Sequence, residues 1–130
     1  MQSVNVGISQ NLLQNPTGTP ATGSLPAATY VSADQQNLGR KGIKVFVNIT
    51  AGAGTLTVTI QGKDPNSGTY YTILASAALS GNGMTVLTVY PAAPATANLS
   101  ANDVLPDTWR ISAVVGTNPV TATIGASVIL

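Results

Sequence analysis

The stretch Gly42-Ile-Lys-Val-Phe-Val-Asn-Ile-Thr50, followed after Ala51-Gly-Ala-Gly54 by Thr55-Leu-Thr-Val-Thr-Ile-Gln61, decides the fold. Ile43, Val45, Val47 and Ile49 alternate with Lys44, Phe46, Asn48 and Thr50. Leu56, Val58 and Ile60 alternate with threonines and Gln61. A period of two places all the aliphatic side chains of a strand on one face of a sheet. Threonine suits the opposite face, because its branched Cβ favours extended backbone and its hydroxyl is easily solvated. The Ala-Gly turn between the two runs predicts a hairpin.

The same reading extends towards the C-terminus. Lys63-Asp-Pro-Asn-Ser-Gly68 is a turn in which Asp64 caps the backbone, Pro65 presets φ and Gly68 accepts the left-handed region. Asp64, Asn66 and Gly68 also begin like a calcium loop, but the later acidic ligand is missing, so no metal site is expected. A strand over 69–75 follows, then the Gly81-Asn-Gly83 turn and a strand over 84–90, closed by Pro91 and Pro94. Residues 92–103, rich in small side chains, read as a long connection crossing from one sheet to the other. In the strand over 108–115, Trp109 is in phase with Ile111, Ala113 and Val115, which assigns it to the core. Asn118-Pro119 turns the chain into a last strand, where Val120, Ala122, Ile124 and Ala126 share a face. No segment shows capped apolar spacing near 3.6 residues, so no helix is predicted. Six strands separated by turn signals make an all-β, two-layer antiparallel β-sandwich, of jelly-roll or immunoglobulin-like arrangement.

Towards the N-terminus the character changes. From Met1 to Tyr30 the chain is uncharged and rich in Gln, Asn, Thr, Pro and Gly, which predicts an extended N-terminal arm over 1–30 ahead of a sandwich domain over 31–130. Within the arm, Val4, Val6 and Ile8 alternate with polar residues in a manner suited to pairing with a sheet edge, its own or a neighbour's. The first residues have neither a basic start nor a continuous apolar run, so no signal peptide is expected. The uncharged residues 111–130 are broken by Gly116-Thr-Asn-Pro119, which excludes a helical membrane span over them.

Composition then limits the chemistry. There is no Cys, His or Glu; the acids are Asp34, Asp64, Asp103 and Asp107, and the bases are Arg40, Lys41, Lys44, Lys63 and Arg110. Without Cys or His there is no thiolate nucleophile, no Cys/His zinc site and no imidazole base to activate a serine. A Ser–Lys pair remains formally available, but no spacing points to one, so neither an enzymatic activity nor a cofactor is expected. Charged residues form 7% of the chain and the formal net charge is +1, which provides no footprint for nucleic acid or an anionic membrane. A free monomer usually carries both signs of charge over about a quarter of its surface, so this neutrality suits a surface largely covered by neighbours. Arg40, Lys41 and Lys44 form the one basic cluster, read either as a solvated strand entrance or as a foot on an acidic partner. Asn48-Ile-Thr50 and Asn98-Leu-Ser100 match the glycosylation acceptor pattern, which is common by chance.

Three runs carry a resemblance. Val58-Thr-Ile-Gln-Gly-Lys-Asp-Pro-Asn-Ser-Gly-Thr-Tyr-Tyr-Thr-Ile-Leu-Ala-Ser76, Thr85-Val-Leu-Thr-Val-Tyr-Pro91 and Asp103-Val-Leu-Pro-Asp-Thr-Trp-Arg-Ile111 resemble small virion structural proteins of tailed bacteriophages, over roughly 34–130. The resemblance implies a structural role in the virion, most naturally that of a capsid decoration, or cement, protein on the outer surface of the phage head. Its expected partners are the major capsid protein and neighbouring copies of itself, with a trimer preferred because cyclic symmetry matches capsid junctions. Candidate contact residues are Val4, Val6, Ile8, Arg40, Lys41 and Lys44. The matching residues are turn and core positions, so they speak for fold more than for place in the particle. Two alternatives share the scaffold. One is a carbohydrate-binding or host-attachment module with Trp109, Tyr70, Tyr71 and Tyr90 as a glycan platform, although Tyr70 and Tyr71 point to opposite faces. The other is a tail or adaptor subunit assembling through sheet edges.

Overall fold

The computed structural model describes residues 23–37 and 39–129. Among them are ten strands: β1 (Ser24–Leu25), β2 (Ala28–Val31), β3 (Gln35–Gln36), β4 (Gly42–Gly52), β5 (Thr55–Lys63), β6 (Tyr70–Ala75), β7 (Gly83–Val89), β8 (Ser100–Ala101), β9 (Thr108–Gly116) and β10 (Val120–Ile129). They form two sheets. The first runs β1-β10-β4-β7-β8, and the second runs β2-β9-β5-β6 with β3 also paired to β9. All the pairings are antiparallel except β7 with β8.

The order of pairing identifies the architecture. β1 pairs with β10, β2 with β9, β4 with β7 and β5 with β6. The chain is therefore one long hairpin, paired from its outer ends inward and rolled so that successive pairs fall in opposite sheets. That connectivity is a jelly roll, which decides between the two sandwich arrangements the sequence allows.

The alternation read from the sequence sets the core. Ile43, Val45, Val47 and Ile49 of β4 and Leu56, Val58 and Ile60 of β5 are buried in one cluster with Leu87, Val89, Trp109, Ile111, Val120 and Ile124. The connection over 90–107 crosses from the first sheet to the second as expected, laying β8 beside the end of β7 on its way.

Two expectations are corrected. First, β4 and β5 are not a hairpin, since they lie in different sheets and the turn after Thr50 is an arch over the edge of the core. Alternation is the same for either arrangement, and here the true partners of β4, β7 and β10, come from far along the chain. Gly52 sits at φ 112°, and a Cβ on Gly52 or Gly54 would strike the backbone of Pro119 or Asn118. Only glycine lets the arch close against the β9–β10 turn.

Second, the boundary between arm and sandwich does not fall at residue 30. Ser24–Leu25 pairs with Val120 and Thr121, and Ala28–Val31 pairs with residues 112–115 of β9. Leu25 and Tyr30 are core residues, and the Tyr30 hydroxyl donates to the Pro26 carbonyl at 2.7 Å. Strands of two and four residues are too short to show alternation, so composition alone made this stretch resemble the chain before it.

Two buried serines end edge strands of the second sheet in the same way. Where β2 leaves β9, Ser32 Oγ accepts the Ile111 N–H at 2.9 Å and donates to the Ala33 carbonyl at 3.0 Å. Where β6 leaves β5, Ser76 Oγ accepts the Val58 N–H at 2.9 Å and donates to the Ala77 carbonyl at 2.7 Å. Each hydroxyl replaces a ladder carbonyl and keeps a central-strand N–H satisfied inside the protein. Ser32→Ala and Ser76→Ala are each expected to destabilise the fold by about 1–3 kcal/mol, the penalty for an unsatisfied buried donor. The two losses should add in urea denaturation, since the serines lie at opposite edges of the sheet.

Candidate functional site

The densest group of polar side chains lies on the outer face of the second sheet. Register places Gln61 of β5 opposite Arg110 of β9, and Lys63 opposite Tyr70 of β6. Arg110 Nε donates to Gln61 Oε1 at 2.7 Å, and its guanidinium carbon lies 3.4 Å from the centre of the Tyr70 ring. Tyr70 in turn donates its hydroxyl to Asp34 Oδ1 at 2.6 Å, while Lys63 Nζ binds Asp34 Oδ2 at 2.9 Å. Asp34 lies in the β2–β3 connection, so the group ties both edges of the sheet across its centre.

The Tyr70 hydroxyl foremost, and then Lys63, hold the Asp34 carboxyl below its ordinary range. Lys63 is shifted upward, chiefly by its hydrogen bond to Asp34. Both carboxylate oxygens, the tyrosine hydroxyl and the ammonium are engaged with one another, and a cation stacked on an aromatic face completes the set. Such an arrangement clasps the β2–β3 connection to the sheet and leaves no activated nucleophile or base. Sequence reasoning missed it because three of its members meet only through pairing of β5 with β9 and β6. The sole signal was that Arg110 falls on the outward phase of its strand.

The basic residues singled out from the sequence lie together at one end of the sandwich but not on one face. Arg40 is half-buried in the β3–β4 connection, with its backbone N–H on Asn37 Oδ1 at 2.7 Å and its carbonyl accepting Asn37 Nδ2 at 2.9 Å. Its Nε is buried without a hydrogen-bond partner among the described residues. Lys41 is exposed, with its backbone held between the Ile129 carbonyl and the Leu105 N–H. Lys44 projects from the outer face of the first sheet, between Thr88 and Ser127. Val4, Val6 and Ile8 lie outside the described residues. Asp64, which begins the calcium-like sequence, instead closes its own turn. Its Oδ1 accepts the Asn66 N–H and its Oδ2 the Ser67 hydroxyl.

The outer face of the first sheet is of another kind. Phe46 is flanked in register by Val86 and Gly125, and Asn48 by Met84 and Thr123. Met84 and Val86 are exposed, Met84 to 61%. The aromatic residues do not assemble a platform. Trp109 is 1% exposed, with its Nε1 lacking a partner among the described residues, and Tyr70 is covered by Arg110. Tyr71 lies against Gly62, where any added Cβ would meet its ring.

Comparison with protein-family models and with curated proteins gives no match. The clasp carries its own test. Asp34→Asn is expected to melt below the parent protein at pH 7, with the gap narrowing as the pH falls through 3.8 and below. A carboxyl whose pKa is depressed by folding contributes stability above its unfolded value and loses it as the folded form is protonated. Thermal melts of both proteins across acid pH measure this.

Proposed function

We propose that this chain is a non-enzymatic structural protein of a phage virion, a capsid decoration protein that binds the outer capsid surface at junctions between major capsid proteins and stabilises the head. The observation that carries the reading is a rigid jelly roll whose broad outer face displays Phe46, Met84 and Val86 among Thr, Ser and Asn, with Lys44 as the one charge on its three central strands. Such a face provides contact area and no reactive group. The resemblance of residues 34–130 to phage virion proteins supports the setting, and the lack of Cys, His and Glu supports the absence of chemistry.

The physical logic is that of many weak contacts. Each copy needs only modest affinity, because a copy already in place raises the effective concentration for the next. The partners are the major capsid protein and further copies of this chain, a trimer fitting a local threefold junction. Residues 1–22 add a segment able to contribute a strand or backbone hydrogen bonds to a neighbour. The glycan-binding alternative loses support from the burial of Trp109, since a sugar platform needs exposed ring faces.

Purified protein added to undecorated heads of its phage is expected to bind at saturable outer sites and to raise the temperature at which the heads release DNA. Absence from the outer surface in a map of the intact virion would refute the decoration role. Removing residues 1–22 is expected to leave a folded body with weakened head binding. A longer cut, past Leu25, would instead remove a core side chain and unfold the first sheet edge.

A further inference from the structure

All the charged side chains of this protein occupy one end of the sandwich. Arg40 and Lys41 lie in the β3–β4 connection, and Lys44 is the third residue of β4. Lys63 ends β5 and Asp64 begins the turn after it, while Asp103 and Asp107 lie in the β8–β9 connection and Arg110 is the third residue of β9. Asp34 is bound to Lys63 and Tyr70 at the same end. The opposite pole is built from the β1–β2, β4–β5, β6–β7 and β9–β10 turns and carries no charge. Its exposed residues include Ala53, Ser80, Asn82, Thr117, Asn118 and Pro119. Residues 1–22 are likewise uncharged, and they join the fold at this pole, beside the start of β1.

We propose that the uncharged pole is the surface through which copies of this chain meet, its occupant being a second copy, with the charged end left to solvent. The inference deepens the reading of the chain as a shell protein and rests on that reading for its setting, while the association is a property of the chain itself. Three observations carry it.

A charge buried between copies must be paired across the interface or lose its water without compensation. This pole has no charge to strip, and interface centres are depleted in charged residues. By the same token it offers nothing to select an acidic or a basic partner.

Apolar area is continuous with the pole. Met84 is the second residue of β7, directly after the Gly81–Gly83 turn, and is 61% exposed, with Val86 next on the same face. Val114, 47% exposed, lies at the same end of the second sheet's outer face.

The pole is also preformed and well placed to reach a neighbour. The arch at Gly54 is seated against the backbone of Asn118, so docking orders little that is not already ordered. A segment of 22 residues can span about 79 Å at most, roughly twice the ~36 Å of an eleven-residue strand such as β4. It is long enough to cross from one copy to the next, and Val4, Val6 and Ile8 alternate as an added strand requires.

The test is the mass of the full chain in solution, by sedimentation equilibrium over a concentration series at 0.1 and 1 M NaCl. The expected result is a defined multiple of 13.1 kDa, unaffected by salt. Asn82→Asp with Met84→Asp should weaken association at least tenfold without lowering the melting temperature of the monomer. Gln36→Glu with Val104→Asp, which adds the same charge at the other end, should leave association intact. If the first pair melts early, Asn82→Asp alone, in an exposed turn, is the variant to compare. A wild-type chain that stays monomeric throughout, or a pole variant that associates as tightly as wild type, would overturn the proposal. Association in solution without head binding would refute the shell reading alone, and head binding by a strict monomer would refute this one alone.

Discussion

Two strands that are neighbours in sequence, β4 and β5, each present one aliphatic face, and the rest of the fold follows from burying those faces against each other rather than side by side. Once the chain arches over at Gly52–Gly54, Ile49 and Leu56 enter the core from opposite sheets. Both edges of β4 and one edge of β5 are then left without a local partner. Buried edges must be paired, because an unsatisfied N–H or carbonyl inside a protein is costly. β5 finds a partner at once in β6, which follows it through the 64–69 turn, but the other partners are distant, so β4 takes β7 and β10 and β5 takes β9. The rolled hairpin is thus a consequence of one arch.

That dependence explains why the glycines of the arch and the serines at the strand exits matter more than their size suggests. Gly54 fits only because nothing projects towards Asn118, which fixes the spacing of the β4–β5 and β9–β10 turns. Ser32 and Ser76 let edge strands depart without stripping the central strands of a hydrogen bond. With these positions settled, aliphatic alternation is sufficient for the remainder. A core of Val, Ile, Leu and Ala around Trp109 and Tyr30 needs no buried ion pair or disulfide.

How much of this was legible from the sequence varies with the length of the signal. Strands with four alternating apolar residues, such as β4, β9 and β10, were placed almost to the residue, and Trp109 was assigned to the core by phase alone. Which strands share a sheet was not legible, because alternation records that one face is buried and not what lies beside it. The strands β1, β2, β3 and β8 are too short to carry a period, so Leu25 and Tyr30 passed for arm residues. The clasp of Asp34, Lys63, Tyr70 and Arg110 was invisible for a related reason. Lys63 and Tyr70 flank one turn, but the register of Gln61 with Arg110 and the approach of Asp34 exist only once distant strands have paired. The basic residues Arg40, Lys41 and Lys44 were conspicuous as a run, yet the fold spreads them over a half-buried connection and an outer sheet face.

The distribution of charge gives the molecule a direction that its sheet architecture lacks. A jelly roll has two similar ends, and here one holds the clasp and every charged side chain, while the turns of the other are built of Ala, Gly, Ser, Thr, Asn and Pro with Leu79. In water the first end is well hydrated at little cost, and withdrawing it would require stripping several ions. The second end loses little when covered, and the exposed Met84 and Val86 beside it gain from being covered, since apolar area removed from water is favourable whatever the partner. Tyr71 and Val104 are exposed at the charged end too, so it is the cost of stripping its ions, and not a lack of apolar area, that separates the two ends.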